Sequence, residues 1–306
     1  MVLTPLMTYY DYKKCLFPIH RALAHFFDEK FHKFSEEYFE VAKRFVNRAT
    51  IKTEDKNKII DIMHKLTKSE NFAKDCIKYY SGENLCYLFN KEMRDMEKFY
   101  LEMCYFIGPF YYGIFTYANE NPEKQLKKRT ILYRDLDMDR LDLYSYEFCE
   151  NDIICFPSFT STTLKKDLNF QPTQNAKKIN NQQADKKHYV KMIITYDPIG
   201  TCVPQCIDIT DEAIHKKEKE VLLFPFTFLK IDKVEIKSGT KNDKHLIYMT
   251  IINKGDVLEY GLKERKGFKL IDNNTKIIID HENDSTCVDN EKFYNFKFKY
   301  IKSELI

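Results

Sequence analysis

Along the first ~125 residues the apolar positions fall at helical spacing. Leu23, Phe27, Phe31, Phe34, Tyr38, Ala42 and Phe45 recur in steps of three and four, which places them on one buried helical face. Ile59, Ile60, Met63 and Leu66 form a shorter set of the same kind. Ser69 ahead of ENFAKDCIKYY reads as an N-cap and Gly82 as a C-terminal stop, and a further helical run covers NLCYLFNKEMRDMEKFYLEM. From Met103 to Asn119 the chain carries no charge. That stretch is short of the ~20 residues a membrane span needs, so the pattern predicts a buried helix broken at Gly108-Pro109. No membrane span is expected.

At Lys127 the texture changes to short runs rich in β-branched and aromatic residues. TILYRDL (130–136), DIICFPSFTSTTL (152–164), HYVKMIITYDP (188–198), EVLLFPFTFLKIDKVEI (220–236) and HLIYMTIIN (245–253) are predicted as strands. A polar insertion, KKDLNFQPTQNAKKINNQQADKK, separates the second from the third and reads as a surface loop. The stretch after Gly255 is charged and rich in Asn. The pattern predicts an α+β protein: a helical lobe over 1–125, a strand-rich core over 126–255, and an extension over 256–306 of unassigned role.

Composition narrows the function classes. With 306 residues, 43% apolar and 31% charged, the chain is long and apolar enough for a substantial core. A net charge of +3 is too small for the basic stripe that nucleic acid or an anionic membrane calls for, so no nucleic-acid partner is expected. The N-terminus lacks a basic start followed by an unbroken apolar run, and the nine cysteines are scattered and odd in number. Both point to a cytoplasmic setting. Cys202 and Cys206 are a close pair without a second pair or a His cluster, so no metal is expected.

Three signals in the strand region bear on chemistry. Arg134 stands within the apolar run ILYRDL; it reads either as a strand-end arginine paired with Asp135 or Asp137, or as a guanidinium fork for a phosphate. Ser161, Thr162 and Thr163 place three hydroxyls in succession, with Ser161 and Thr163 on one side of a strand and Thr162 on the other. Such a run is also ordinary in strands. Glu218-Lys219-Glu220 directly precedes VLLFPF. If extended, it sets two carboxylates on one side, a pair suited to stabilising a cationic sugar transition state; as a bare motif it also reads as a solvated charged run.

Taken together, LYRD, FTSTT and EKEVLLFPFTFLKI resemble the arginine-specific mono-ADP-ribosyltransferases, the class marked by an arginine, a Ser-Thr-Ser strand and a Glu-x-Glu turn, to which cholera-toxin-like and vertebrate ecto-transferases belong. YYSGENLCYLFNKEMR (79–94) is similar to the family's helical segment with a Tyr-Thr/Ser pair before Phe-Asn-x-x-x-Arg. The resemblance spans roughly residues 76–255. It departs from the family at Asp135, where glycine is usual, and at Thr163, where serine is usual.

The resemblance implies a split mixed β-sheet that grips NAD+ as a consumed substrate, and an acceptor protein with an exposed arginine. It implies that Arg134 holds the NAD+ pyrophosphate or adjoining ribose, that Ser161 orients Glu220, and that Glu220 stabilises the oxocarbenium-like state as nicotinamide leaves. Thr162 and Thr163 belong to the same NAD+-binding strand, and Phe170 is the candidate to stack on nicotinamide. Glu218 selects arginine by drawing a proton from the acceptor guanidinium. His215 occupies the position where relatives often carry an aromatic that touches the target. A G-x-G-x-x-G fingerprint is lacking, so a Rossmann site is not expected. The alternatives are an NAD+ glycohydrolase, in which water replaces the acceptor, an inactive interaction module that keeps the fold, and a helical adaptor built on residues 1–125.

Overall fold

The computed structural model describes residues 7–8, 35–94, 101–156, 158–167, 188–198, 205–225 and 227–252. A two-residue strand, Met7–Thr8, comes first and joins the sheet, so the stretch expected to be helical is not wholly so; the helices follow: α1 (Glu36–Arg48), α2 (Thr53–Thr67), α3 (Phe72–Tyr80), α4 (Glu83–Arg94) and α5 (Leu101–Glu120). α1 starts where the Ser35 hydroxyl accepts the Tyr38 N–H at 3.3 Å, and Glu36 and Glu37 follow in its first turn, where the helix dipole favours anions. Tyr38, Phe39, Ala42, Phe45 and Val46 form its buried face. The expected continuation of that face through Leu23, Phe27, Phe31 and Phe34 lies outside the described residues. On α2, Ile59, Met63 and Leu66 are buried, as their spacing predicts.

Two helix expectations are corrected. Asn71, not Ser69, is the N-cap of α3; the Ser69 hydroxyl instead accepts the Asn71 N–H at 3.1 Å and donates to Asp75 at 2.7 Å, fastening the turn before the helix. α5 is not broken at Gly108-Pro109 but runs through Pro109 as one 20-residue helix. Its buried Phe106, Ile107, Phe110 and Ile114 pack into the lobe core against α1 and α3, and that burial outweighs the lost backbone hydrogen bond. No helix among the described residues is long and apolar enough to cross a membrane.

The strands are β1 (Met7–Thr8), β2 (Thr130–Met138), β3 (Ile153–Phe156), β4 (Thr160–Thr163), β5 (His188–Tyr196), β6 (Cys206–Asp208), β7 (Glu220–Leu223), β8 (Thr227–Glu235) and β9 (His245–Ile252). Among the described residues they form one mixed sheet in the order β1-β3-β8-β9-β5-β2-β4-β7-β6, with β5 and β9 parallel and the other neighbours antiparallel. The runs 152–164 and 220–236 each divide into two strands, and α6 (Arg140–Phe148), β1 and β6 are additional to the expected elements. The fold is α+β, a helical lobe followed by a mixed sheet.

Strand alternation sends side chains to two cores. Leu132, Val190, Met192, Ile194, Val221, Leu223, Leu229 and Met249 build one. Leu222, Phe159, Phe224, Phe228 and Ile207 face the other, which is continuous with the core of the helical lobe. Phe159, just before β4, packs on Tyr80, Phe89 and Tyr111 with ring centroids 5.1, 5.5 and 5.9 Å away. Phe224, just after β7, packs on Phe115 at 6.0 Å. The lobe therefore buttresses the two strands that carry Ser161 and Glu220.

Candidate active site

β4 and β7 are fixed by their register. Ser161 pairs with Leu222 and Thr163 with Glu220, so these four side chains share the face that looks toward the helical lobe. Thr162 pairs with Val221 and lies on the opposite face, where its buried hydroxyl donates to the Val221 carbonyl at 2.6 Å. β2 pairs with β4 at one position, Tyr133 with Thr163. Next to it the Arg134 guanidinium spans from β2 to the Ser161 carbonyl, with Nη1 at 2.6 Å.

Glu220 is the centre of the arrangement. It is 8% exposed, and burial raises its pKa above the ordinary carboxylate range. A hydrogen bond from Ser161 and the positive charges of Arg134 and His215 oppose that rise, while the charge of Glu218 adds to it. Arg134, Ser161, Glu218 and His215, drawn from β2, β4 and the turn before β7, thus all act on one buried carboxylate. Tyr80, also within electrostatic reach of Glu220, is fully enclosed and donates its hydroxyl to Asn90 at 3.0 Å.

The Glu-Lys-Glu segment is not extended, contrary to the simplest reading of its spacing. Glu218 ends a 3-10 turn, Lys216–Glu218, and Lys219 adopts a left-handed backbone with φ 50°, so the chain swings into β7 only at Glu220. The Thr163 hydroxyl donates to the Glu218 carbonyl, and the Leu164 N–H donates to the Lys219 carbonyl at 3.2 Å. Thr163 therefore acts here as the anchor of the turn. Its added methyl leaves that hydroxyl in place.

Arg134 and Asp135 leave β2 on opposite sides by alternation. Asp135 is held by Lys244 at 2.7 Å and Lys191 at 3.9 Å, so the acid that follows Arg134 is matched by cations of its own. Phe170 lies outside the described residues, as does Cys202. Cys206 is buried in β6, its thiol pushed up to about 12 by burial. Among the described residues no group of three or more His, Cys, Asp or Glu side chains could hold a metal ion.

Several residues around the turn carry no local sequence signal. Glu212 pairs with Lys74 of α3 at 3.2 Å and accepts the Tyr117 hydroxyl of α5 at 3.4 Å. The Ile214 N–H donates to the Ser81 hydroxyl at 3.0 Å, across 133 positions of chain. These contacts join the segment before Glu218 to the helical lobe.

No family model matches the chain, and no curated protein does. Among solved structures it is similar to Plx2a, an ADP-ribosyltransferase toxin from Paenibacillus larvae, with 14% identity, 72% of this chain and 99% of that chain covered, and a TM-score of 0.42. It is similar to the Vis toxin, an ADP-ribosyltransferase from Vibrio splendidus, with 15% identity, coverage of 69% and 91%, and a TM-score of 0.43. It is also similar to the ADP-ribosyltransferase HopU1 of Pseudomonas syringae, with 14% identity, coverage of 71% and 98%, and a TM-score of 0.43.

Proposed function

We propose that this chain transfers a single ADP-ribose from NAD+ to an arginine side chain of a protein, releasing nicotinamide. One observation carries the reading: the buried Glu220 shares one face of the β4–β7 pair with Ser161, whose carbonyl the Arg134 guanidinium reaches at 2.6 Å, although the three lie far apart in sequence. A carboxylate kept from water and opposed by a fixed arginine suits a reaction in which positive charge develops on a sugar carbon.

In that reaction the bond between the ribose C1′ and the nicotinamide nitrogen breaks, and its electron pair stays with nicotinamide, quenching the pyridinium charge. Glu220 stabilises the cationic ribose, and Ser161 keeps its carboxylate oriented. Arg134 keeps guanidinium N–H groups beyond the one on the Ser161 carbonyl, and these hold the diphosphate. Glu218 takes a proton from the acceptor guanidinium, whose nitrogen then forms the new bond to C1′. Thr163 supports this step by holding the turn that bears Glu218.

The test is to incubate the chain with NAD+ and measure free nicotinamide against label bound to protein or to free arginine. Both are expected to appear, and Glu220→Gln to lower both by at least ~100-fold. Glu218→Gln is expected to abolish labelling of arginine while nicotinamide release into water persists. Rapid release without any labelled acceptor would make the chain a glycohydrolase. No turnover, unchanged by Glu220→Gln, would make it an inactive module.

A further inference from the structure

The turn that carries Glu218 is fastened on both sides. Toward β7 it is tied to β4 through Thr163 and Leu164. On the other side, Asp211 is paired with Lys124, Glu212 with Lys74, and Ile214 with Ser81. The acids of this segment are therefore matched by cations of the helical lobe. The stretch between the two anchorages presents a different charge to solvent. Lys216, Lys217 and Lys219 are all exposed, as is His215, and only Glu218 stands half-buried among them. Among the described residues none of the three lysines has an ion-pair partner. Ile214, 55% exposed, borders them.

We propose that the exposed lysines of this turn favour one kind of acceptor: a protein that carries acidic side chains flanking the target arginine. The inference rests on the proposed function and adds to it the character of the acceptor surface. Three ammonium groups stand against Glu218 and, at Lys216, against Asp211, which Lys124 already pairs, so the turn stays net positive. A bare guanidinium approaching Glu218 meets repulsion from them. Aspartate or glutamate neighbours on the acceptor turn that repulsion into attraction and fix the register in which arginine enters. Because the turn is anchored, the backbone bearing the three lysines stays beside Glu218.

The full chain is assayed with NAD+ on free arginine, on a peptide with one arginine flanked by Asp and Glu, and on the same peptide with Lys flanks. The acidic peptide is expected to exceed the lysine-flanked one by at least ~5-fold in kcat/KM, a rim-charge effect that shrinks as ionic strength rises. The double variant Lys216→Glu, Lys217→Glu should reverse the order of the peptides, while its undiminished labelling of free arginine shows that the turn is intact. Equal kcat/KM on the two peptides, or a preference untouched by the charge reversal, would overturn the proposal. So would duplex DNA or phosphatidylserine vesicles inhibiting peptide labelling as strongly as excess acidic peptide, since the lysines would then serve another partner. Labelled free arginine without discrimination between peptides sinks the selectivity alone. Absence of both nicotinamide release and labelled arginine sinks the proposed function, and the selectivity with it.

Discussion

Glu220 is held in a conflict that has consequences for activity and for stability. Burial favours its neutral form, whereas the Ser161 hydrogen bond and the Arg134 charge favour the anion. The proposed reaction needs the anion, so nicotinamide release should rise with pH along a limb lying above the ordinary glutamate range of ~4.3. Ser161→Ala removes a group that favours the charged form, and should move that limb to higher pH as well as lower its plateau. A limb at the ordinary range, or one unmoved by Ser161→Ala, would contradict this account of the carboxylate. The folded-state pKa exceeds that of the unfolded chain, so this group's stabilising contribution is present below the unfolded pKa and lost as pH rises through the folded one. Glu220→Gln should therefore raise Tm at neutral pH and give little gain in acid, while activity collapses. In the sequence Arg134, Ser161 and Glu220 stand out only together: the hydroxyl run and the Glu-Lys-Glu segment are each ordinary alone, and it is the order of the three motifs that resembles a known family. The structural duty of Thr163 is not legible there, because it depends on a carbonyl 55 residues away.

At the scale of elements, the close approach of α3 and α5 turns on Gly113. A Cβ there would lie 2.5 Å from the Cys76 sulfur and 2.9 Å from the Cys76 Cβ, and Cys76 is fully buried. In an exposed helix interior Gly→Ala gains roughly 1 kcal/mol from propensity. Here overpacking costs about 1–3 kcal/mol and opposes that gain. Gly113→Ala is thus expected to lower Tm, which a thermal melt by circular dichroism checks; an increase would mean that the helices separate easily. Elements were readable from the chain where the period was sustained, as in β5, β9 and α2. β6 has three residues, too few to establish alternation. α6 mixes polar and aromatic positions with little amphipathic pattern, and its clearest start signal was local: the Asp139 carboxylate accepting the Asp142 N–H at 2.8 Å. The Glu-Lys-Glu spacing was visible but its conformation was not, because the left-handed Lys219 is imposed by bonds from β4.

Across the whole molecule, lobe and sheet share a core. Tyr80, Phe89 and Tyr111 from the helices enclose Phe159, and Phe115 meets Phe224, so the strands bearing Ser161 and Glu220 cannot lose the lobe without exposing these rings. One cooperative unfolding transition is expected, with far-UV circular dichroism and tyrosine fluorescence coinciding in urea. Two separated transitions would show that the lobe folds alone. Phe159→Ala, at a cost of about 3–5 kcal/mol, should shift both probes together. The division of the chain into helical and strand halves was plain from composition and period. Their fusion through a few aromatic side chains was not, since pairs such as Tyr80 and Phe159 are joined only by the folded topology.

The central claim is that Arg134, Ser161 and Glu220 surround one dinucleotide. A crystal structure of the Glu220→Gln chain with NAD+ tests it most directly. The diphosphate is expected on the Arg134 guanidinium and the nicotinamide ribose against Ser161 and residue 220. NAD+ bound elsewhere, or a site between these side chains filled by packed protein, would contradict it.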